Sequence, residues 1–354
     1  MPESQPSETP KEEPPPEIQI PESSLKSGLL DADLNLVDRY ITYWVDKLSQ
    51  ADEEGAILDA RTRLVRGYVK YDSWQYQNVY AGQVSKAIAP LLESRDYRKQ
   101  INAALALTQM PQVTVQPALE LLVVSPNPAL RFYGWVGYRR IRMLVLAQGM
   151  ESVAVMLNSL SRAATAEDNG PVMGAVLAMM YLDPDRPSMV TPALFQETQT
   201  RLFVVFRQAW LRVCQKVLEG DPVMGHAASD GLSALRRMGA GLGSRGEIGQ
   251  GAVQMVVDMM WCAAKVYVKA AKAGMPTASV EALLRDCEGA LNAITELRRI
   301  PMTEALASKG DTDRAAEVDA AIGKWLRFLE NANWPVKEPK FEISPEAATQ
   351  ESSP

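Results

Sequence analysis

The chain has 354 residues, with 37 lysines and arginines against 43 aspartates and glutamates and a formal net charge of −6. An acidic chain of mixed sign lacks the basic surface that nonspecific nucleic-acid binding needs. One histidine and three cysteines, none of these within four residues of another, argue against zinc sites and against a disulfide framework. No cofactor is implied, and Cys214, Cys262 and Cys287 are expected to be small buried hydrophobes.

Residues 1–25 hold seven prolines and six glutamates, with Ile18 and Ile20 as the large apolar exceptions. Such a stretch buries too little surface to offset its ordering entropy and reads as a disordered tail. Residues 335–354 read the same way. No apolar run approaches the ~18 residues of a membrane span, and the start has neither a positive n-region nor an apolar core of a leader. A cytoplasmic protein is expected, with a periplasmic or envelope scaffold as the alternative if the native start lies elsewhere.

Between the tails the helical period runs nearly everywhere. Leu34, Val37, Ile41, Trp44, Val45 and Leu48 form the first stripe, and residues 53–71 and 74–92 form two further helices. Val115, Ala118, Leu119 and Leu122 continue the pattern, as do Val153, Met156, Leu157 and Leu160. Long helices follow at 190–219 and 250–273. Val280, Leu283, Leu284, Cys287, Leu291 and Ile294 give another face, and Val318, Ile322, Trp325 and Leu329 the last. Period-two alternation is essentially absent, so no sheet is predicted. Prolines fall where helices start, at Pro128, Pro171 and Pro222, where a missing amide costs nothing. Asp221 before Pro222 is a capping carboxylate.

Internal similarity is irregular. Arg98–Leu105 aligns with Arg131–Tyr138, each arginine being followed by a small-residue face (Ala103 and Ala104; Gly134 and Gly137). Pro-Val-Met-Gly occurs at 171–174 and again at 222–225. Residues 117–141 join a leucine-rich helix, a Ser125-Pro126-Asn127-Pro128 turn and a second helix opened by Leu130-Arg131. They resemble a HEAT repeat, and residues 90–107 resemble it more loosely. In that family the arginine and a turn aspartate form a ladder between neighbouring repeats. Arg98 and Arg131 match the arginine and Asp96 matches the aspartate, whereas the second copy has Ser125-Pro126-Asn127 in place of the aspartate, and Met173 and Met224 stand at the arginine position later in the chain. The resemblance implies an all-α, irregular α-solenoid of antiparallel helix pairs with a right-handed superhelix. Residues 26–188 are assigned to repeats, and 189–334 to divergent repeats or a second helical domain.

The residues that carry chemistry are few. Arg131, Trp135, Tyr138 and Arg142 lie within about 60° on one helix, with Arg139 beside them. Such a face either grips an acidic or stacking partner or lies buried between repeats. Eight aromatics crowd residues 40–80, and Tyr68, Tyr71, Trp74 and Tyr76 among them are candidate contacts for a partner, or a cap over the first repeat. Gly239-Ala-Gly241-Leu-Gly243-Ser-Arg-Gly246 lacks the strand that a dinucleotide loop needs and reads as a helix–helix linker. Arg236, Arg237 and Arg245 could hold an anion there. His226, with Asp230 one turn on, and Asp183-Pro184-Asp185 are the remaining polar sites, read as a surface histidine and an interhelix turn. The expected function is a noncatalytic scaffold binding a protein or peptide. The alternatives are a nucleic-acid-binding repeat protein using Arg131, Arg139, Arg140, Arg142, Arg236 and Arg237 as one continuous stripe, and an enzyme built around His226 or Asp183.

Overall fold

A computed structural model describes residues 16–183, 190–241, 246–308 and 311–341. Every regular element among them is helical, and none of these helices is long and apolar enough to cross a membrane. The chain divides into two compact units, Met1–Leu121 and Leu122–Pro354. Within the second unit a Cβ at Gly134 would lie 2.9 Å from Leu122 and 2.7 Å from Val123, so the missing side chain lets this segment seat on residues 122–123.

Unit 1 contains α1 (Glu22–Ser27), α2 (Asp31–Gln50), α3 (Glu54–Tyr68), α4 (Trp74–Leu92), α5 (Tyr97–Thr108), a 3-10 turn at Val113–Val115 and most of α6 (Gln116–Val123). The predicted stripe of α2 is its core face: Val37, Ile41, Trp44, Val45 and Leu48 are buried. Asp33 fixes the start of α2 by accepting the Leu30 amide at 3.0 Å. Helix α2 packs on α4, and α3 on α5. Asp96 caps α5, accepting the Arg98 amide at 2.9 Å. Arg98 also donates back to the Asp52 carbonyl in the α2–α3 turn at 3.0 Å.

The tail expected to be disordered through residue 25 is ordered from residue 16. Ile18 and Ile20 are buried. Tyr71 Oη accepts the Ile20 amide at 2.9 Å and donates to the Ile18 carbonyl at 3.3 Å, and Lys70 donates to that same carbonyl. Two isolated isoleucines anchor an extended strap, which carries no helical period to read. Residues 1–15 lie outside the described residues.

Unit 2 contains α7 (Pro128–Ala147), α8 (Met150–Ala166), α9 (Gly170–Met179), α10 (Pro192–Leu218), α11 (Pro222–Gly241), α12 (Glu247–Lys272), α13 (Ala278–Thr295), α14 (Pro301–Leu306) and α15 (Asp311–Asn331). Helices two apart in sequence pack on each other: α7 on α9, α9 on α11 and α11 on α13, and likewise α8 on α10 and α10 on α12; α12 packs next on α15, three elements on. The proline-led starts carry caps. Asn127 accepts the Ala129 amide at 3.0 Å, Asn169 the Val172 amide at 3.2 Å, and Asp221 the Val223 and Met224 amides at 2.9 and 3.3 Å. The two Pro-Val-Met-Gly copies open α9 and α11, which lie so close that a Cβ at Gly170 would strike the Val223 carbonyl oxygen.

Buried polar groups tie the helices of unit 2 together. Trp210 of α10 donates to the Met255 carbonyl of α12 at 2.7 Å. Gln199 of α10, fully buried, accepts the Leu182 amide at 3.1 Å and donates to the Met180 carbonyl at 3.4 Å. The Glu288 carboxylate of α13 accepts the Met302 and Thr303 amides at 2.7 and 2.9 Å, the Thr303 hydroxyl at 2.5 Å and the Trp325 indole at 3.0 Å. One buried carboxylate thus caps α14 and holds α15. The three cysteines are unpaired and buried, and burial pushes the Cys214 and Cys287 thiols well up. The glycine-rich linker begins later than residue 239, since Gly239 lies in the last turn of α11 against Ile294.

Candidate functional site

The stripe on α7 does share one face, and that face points inward. Trp135 and Tyr138 are buried, and Arg142 is only 9% exposed. Arg131 forms a two-point pair with Glu167 at 2.7 and 2.9 Å and donates to the Ser125 and Pro126 carbonyls, both at 2.9 Å. This is the buried arrangement, not an open partner surface; Arg139 alone of the five is exposed. Among the described residues Arg142 gives one hydrogen bond, to the Arg139 carbonyl at 2.8 Å, and its Nε has no partner. Burial, reinforced by the Arg139 charge, lowers its pKa to about 10 against the opposing pull of Asp183.

The tyrosines of unit 1 are also largely interior. Tyr76 and Tyr80 are fully buried and donate to the Gly67 and Leu64 carbonyls at 2.7 and 2.8 Å. Tyr68 is buried and accepts from Gln112 at 3.1 Å. Tyr71 stands edge-on to Tyr76 at 5.0 Å between ring centroids, and burial raises the Tyr76 and Tyr80 hydroxyl pKa values. Each hydroxyl thus finds a carbonyl of α3, which lets tyrosine stand in a buried face. Of the four candidates only Trp74 is strongly exposed, at 62%.

The other candidates do not converge. Arg236 and Arg237 are exposed, Arg237 lies 5.9 Å from the Tyr181 ring centroid, and Arg245 lies outside the described residues. His226 is exposed. Burial pushes the Asp230 carboxyl up, and Arg139 and then His226 pull it back less strongly. Asp183 is described; Pro184 and Asp185 are not. With Arg131 paired to Glu167 and Arg142 buried, the six arginines do not form a continuous exposed stripe.

The most site-like geometry is on α12, a helix that carries no recognisable motif. Gln254, Asp258, Trp261, Lys265, Val268 and Lys272 fall within about 80° on this helix. Residues 335–341, expected to be disordered, run along its first half. Gln254 accepts the Lys337 amide at 2.7 Å and donates to the Lys337 carbonyl at 2.9 Å, reading both backbone groups of one residue. The same amide nitrogen donates to buried Asp258 at 2.9 Å, which orients it. Burial pushes the Asp258 carboxyl up, and the Gln254 bond and the Arg207 charge pull it back. Phe341 stacks on Trp261 at 6.0 Å and 27°. From Gln254 to Trp261 the helix rises about 10 Å, close to the ~13 Å of four extended residues, so the strap runs parallel to α12. Pro339 is buried between those anchors and Trp334 before them.

Beyond Phe341 no described residue of the strap covers this face. Lys265 lies 5.5 Å from the Trp261 ring centroid and pairs with Asp319 of α15 at 2.6 Å. A cavity of about 570 Å³ follows, lined by Val268, Ala271, Lys272, Ala315 and Ala316 together with Lys265 and Asp319. The signal available in the sequence was slight: single large side chains, Trp334 and Phe341, in an otherwise polar tail.

No family model and no curated protein matches the chain. Among solved structures, the crystal structure of an engineered protein matches 84% of this chain and 99% of its own, at 14% identity and a TM-score of 0.29. A likeness that low carries no argument about fold or function.

Proposed function

We propose that the chain is a noncatalytic helical-repeat scaffold, a HEAT-like array of antiparallel helix pairs, that binds a protein or peptide partner in extended conformation along α12. The observation that carries this reading is the two-bond clamp of Gln254 on the Lys337 backbone. Such a clamp reads extended main chain whatever its side chains, and Trp261 supplies an aromatic pocket beside it. The array is supported by the packing of helices two apart within each unit and by the arginines at the repeat-like positions. Arg98 ties its own turn to the Asp52 turn, and Arg131 ties its own to Glu167. Cytoplasmic residence fits three buried, unpaired cysteines.

The test uses the full chain carrying Phe341→Ala, which loosens the strap, and a fluorescein-labelled peptide with the sequence of residues 334–341. Anisotropy is expected to show saturable binding that weakens about tenfold on adding Trp261→Ala, or about 1.4 kcal/mol. Equal binding with and without Trp261 would overturn the assignment of this face.

A further inference from the structure

We propose that the cavity beyond Phe341 is the acidic-residue subsite of this groove, taking a glutamate or aspartate that follows the aromatic of an extended partner peptide. The inference rests on the peptide-binding reading above and adds the chemistry of the partner.

Three observations lead to it. The groove does not end where the strap's described part ends: α12 presents Val268 and Lys272 on the same face as Gln254 and Trp261. The occupant seated on the first half shows what the groove accepts, an extended backbone with an aromatic on Trp261. The charge of this half is unbalanced among the described side chains. Lys265 is neutralised by Asp319, whereas Lys272 has no ion-pair partner among the described side chains, which leave out those of residues 311–313 and 342–354. Val268 and Ala271 make the floor apolar, so a carboxylate reaching Lys272 there meets less competing water than on an open surface. Lys272 also stands in the last turn of α12, one place before the C-cap Ala273. A cation in that position favours the helix end in the absence of any partner, which is why the experiment must detect selection between ligands and not stability.

Spacing sets the motif. From Trp261 to Lys272 the helix rises about 16 Å, which an extended peptide covers in about five residues. Lysine is a point charge on a flexible stem, so the subsite accepts either carboxylate and imposes no two-point geometry.

Two labelled peptides test this on the full chain carrying Phe341→Ala. Both begin with the 334–341 sequence; one continues Gly-Ser-Gly-Glu-Glu and the other Gly-Ser-Gly-Gln-Gln. The acidic peptide is expected to bind at least tenfold more tightly at low salt, the gap narrowing as ionic strength rises. Adding Lys272→Glu is expected to abolish the preference. Equal affinity of the two peptides would overturn the acidic subsite while leaving the extended-peptide groove standing. A preference that survives Lys272→Glu would overturn its assignment to this cavity. Binding of neither peptide would remove both readings together.

Discussion

Unit 2 uses a glutamine amide twice to hold backbone, in opposite surroundings. Gln199 is fully buried and spans the Met180 carbonyl and the Leu182 amide. Gln254 is partly exposed and takes both groups of Lys337. The bonds are alike in kind, but the alternatives differ. If the Gln199 clamp opens, two polar groups are left in a dry interior, whereas water replaces Gln254 at once. One clamp is therefore part of the fold, and the other can exchange its occupant. Hydrogen-bond geometry alone does not distinguish them; burial does.

The comparison can be pressed from its strongest case downward. Glu288 extends the buried clamp to a charged group with four donors, so Glu288→Ala should cost about 3–5 kcal/mol, since it strands buried donors, read by urea denaturation. A loss under about 1 kcal/mol would show that water enters there freely. Gln199→Ala should cost about 2–3 kcal/mol. Gln254→Ala should cost under about 1 kcal/mol of global stability while releasing residues 335–341. Comparable losses for Gln199→Ala and Gln254→Ala would erase the distinction. Hydrogen exchange reads the same contrast without mutation. The Leu182 amide should exchange near the global unfolding limit and the Lys337 amide orders of magnitude faster.

The smallest expected effect is pH-linked. Burial raises the Asp258 carboxyl above its ordinary 3.8, so the folded protein holds this proton more tightly than the unfolded chain. Its contribution to stability is fully present below the unfolded value and is lost as pH rises through the raised folded value. Asp258→Asn should therefore melt slightly higher than the parent at pH 7 and level with it near pH 3. A pH-independent gap in Tm would mean that the ionisation of Asp258 does not contribute.

Much of this was legible where a periodic signal exists. The stripe of α2, the long helices α10 and α12, the capping role of Asp221 and the burial of the cysteines follow from spacing and residue type. The α7 stripe was legible as a face but not in its direction. An arginine–aromatic row suits either a partner or a core, and the choice fell to Glu167, 36 residues away, which binds Arg131. The straps were not legible because an extended segment has no period, and its anchors, Ile18, Ile20 and Phe341, are isolated in polar surroundings. The α12 groove was missed for the same reason. Its residues sit at ordinary helical spacing, and what marks them is the segment lying across them.

The Glu288 knot also bears on how the chain is made. Its indole donor, Trp325, lies 37 residues downstream, and at about 5–20 residues per second a ribosome needs roughly 2–7 s to deliver it. Until then α13 carries a carboxylate whose buried setting does not yet exist. The Glu288 carboxylate therefore gains its full set of donors only once α14 and α15 have emerged. Released chains ending before residue 325 should be cleaved by protease within α13, whereas the full chain should resist.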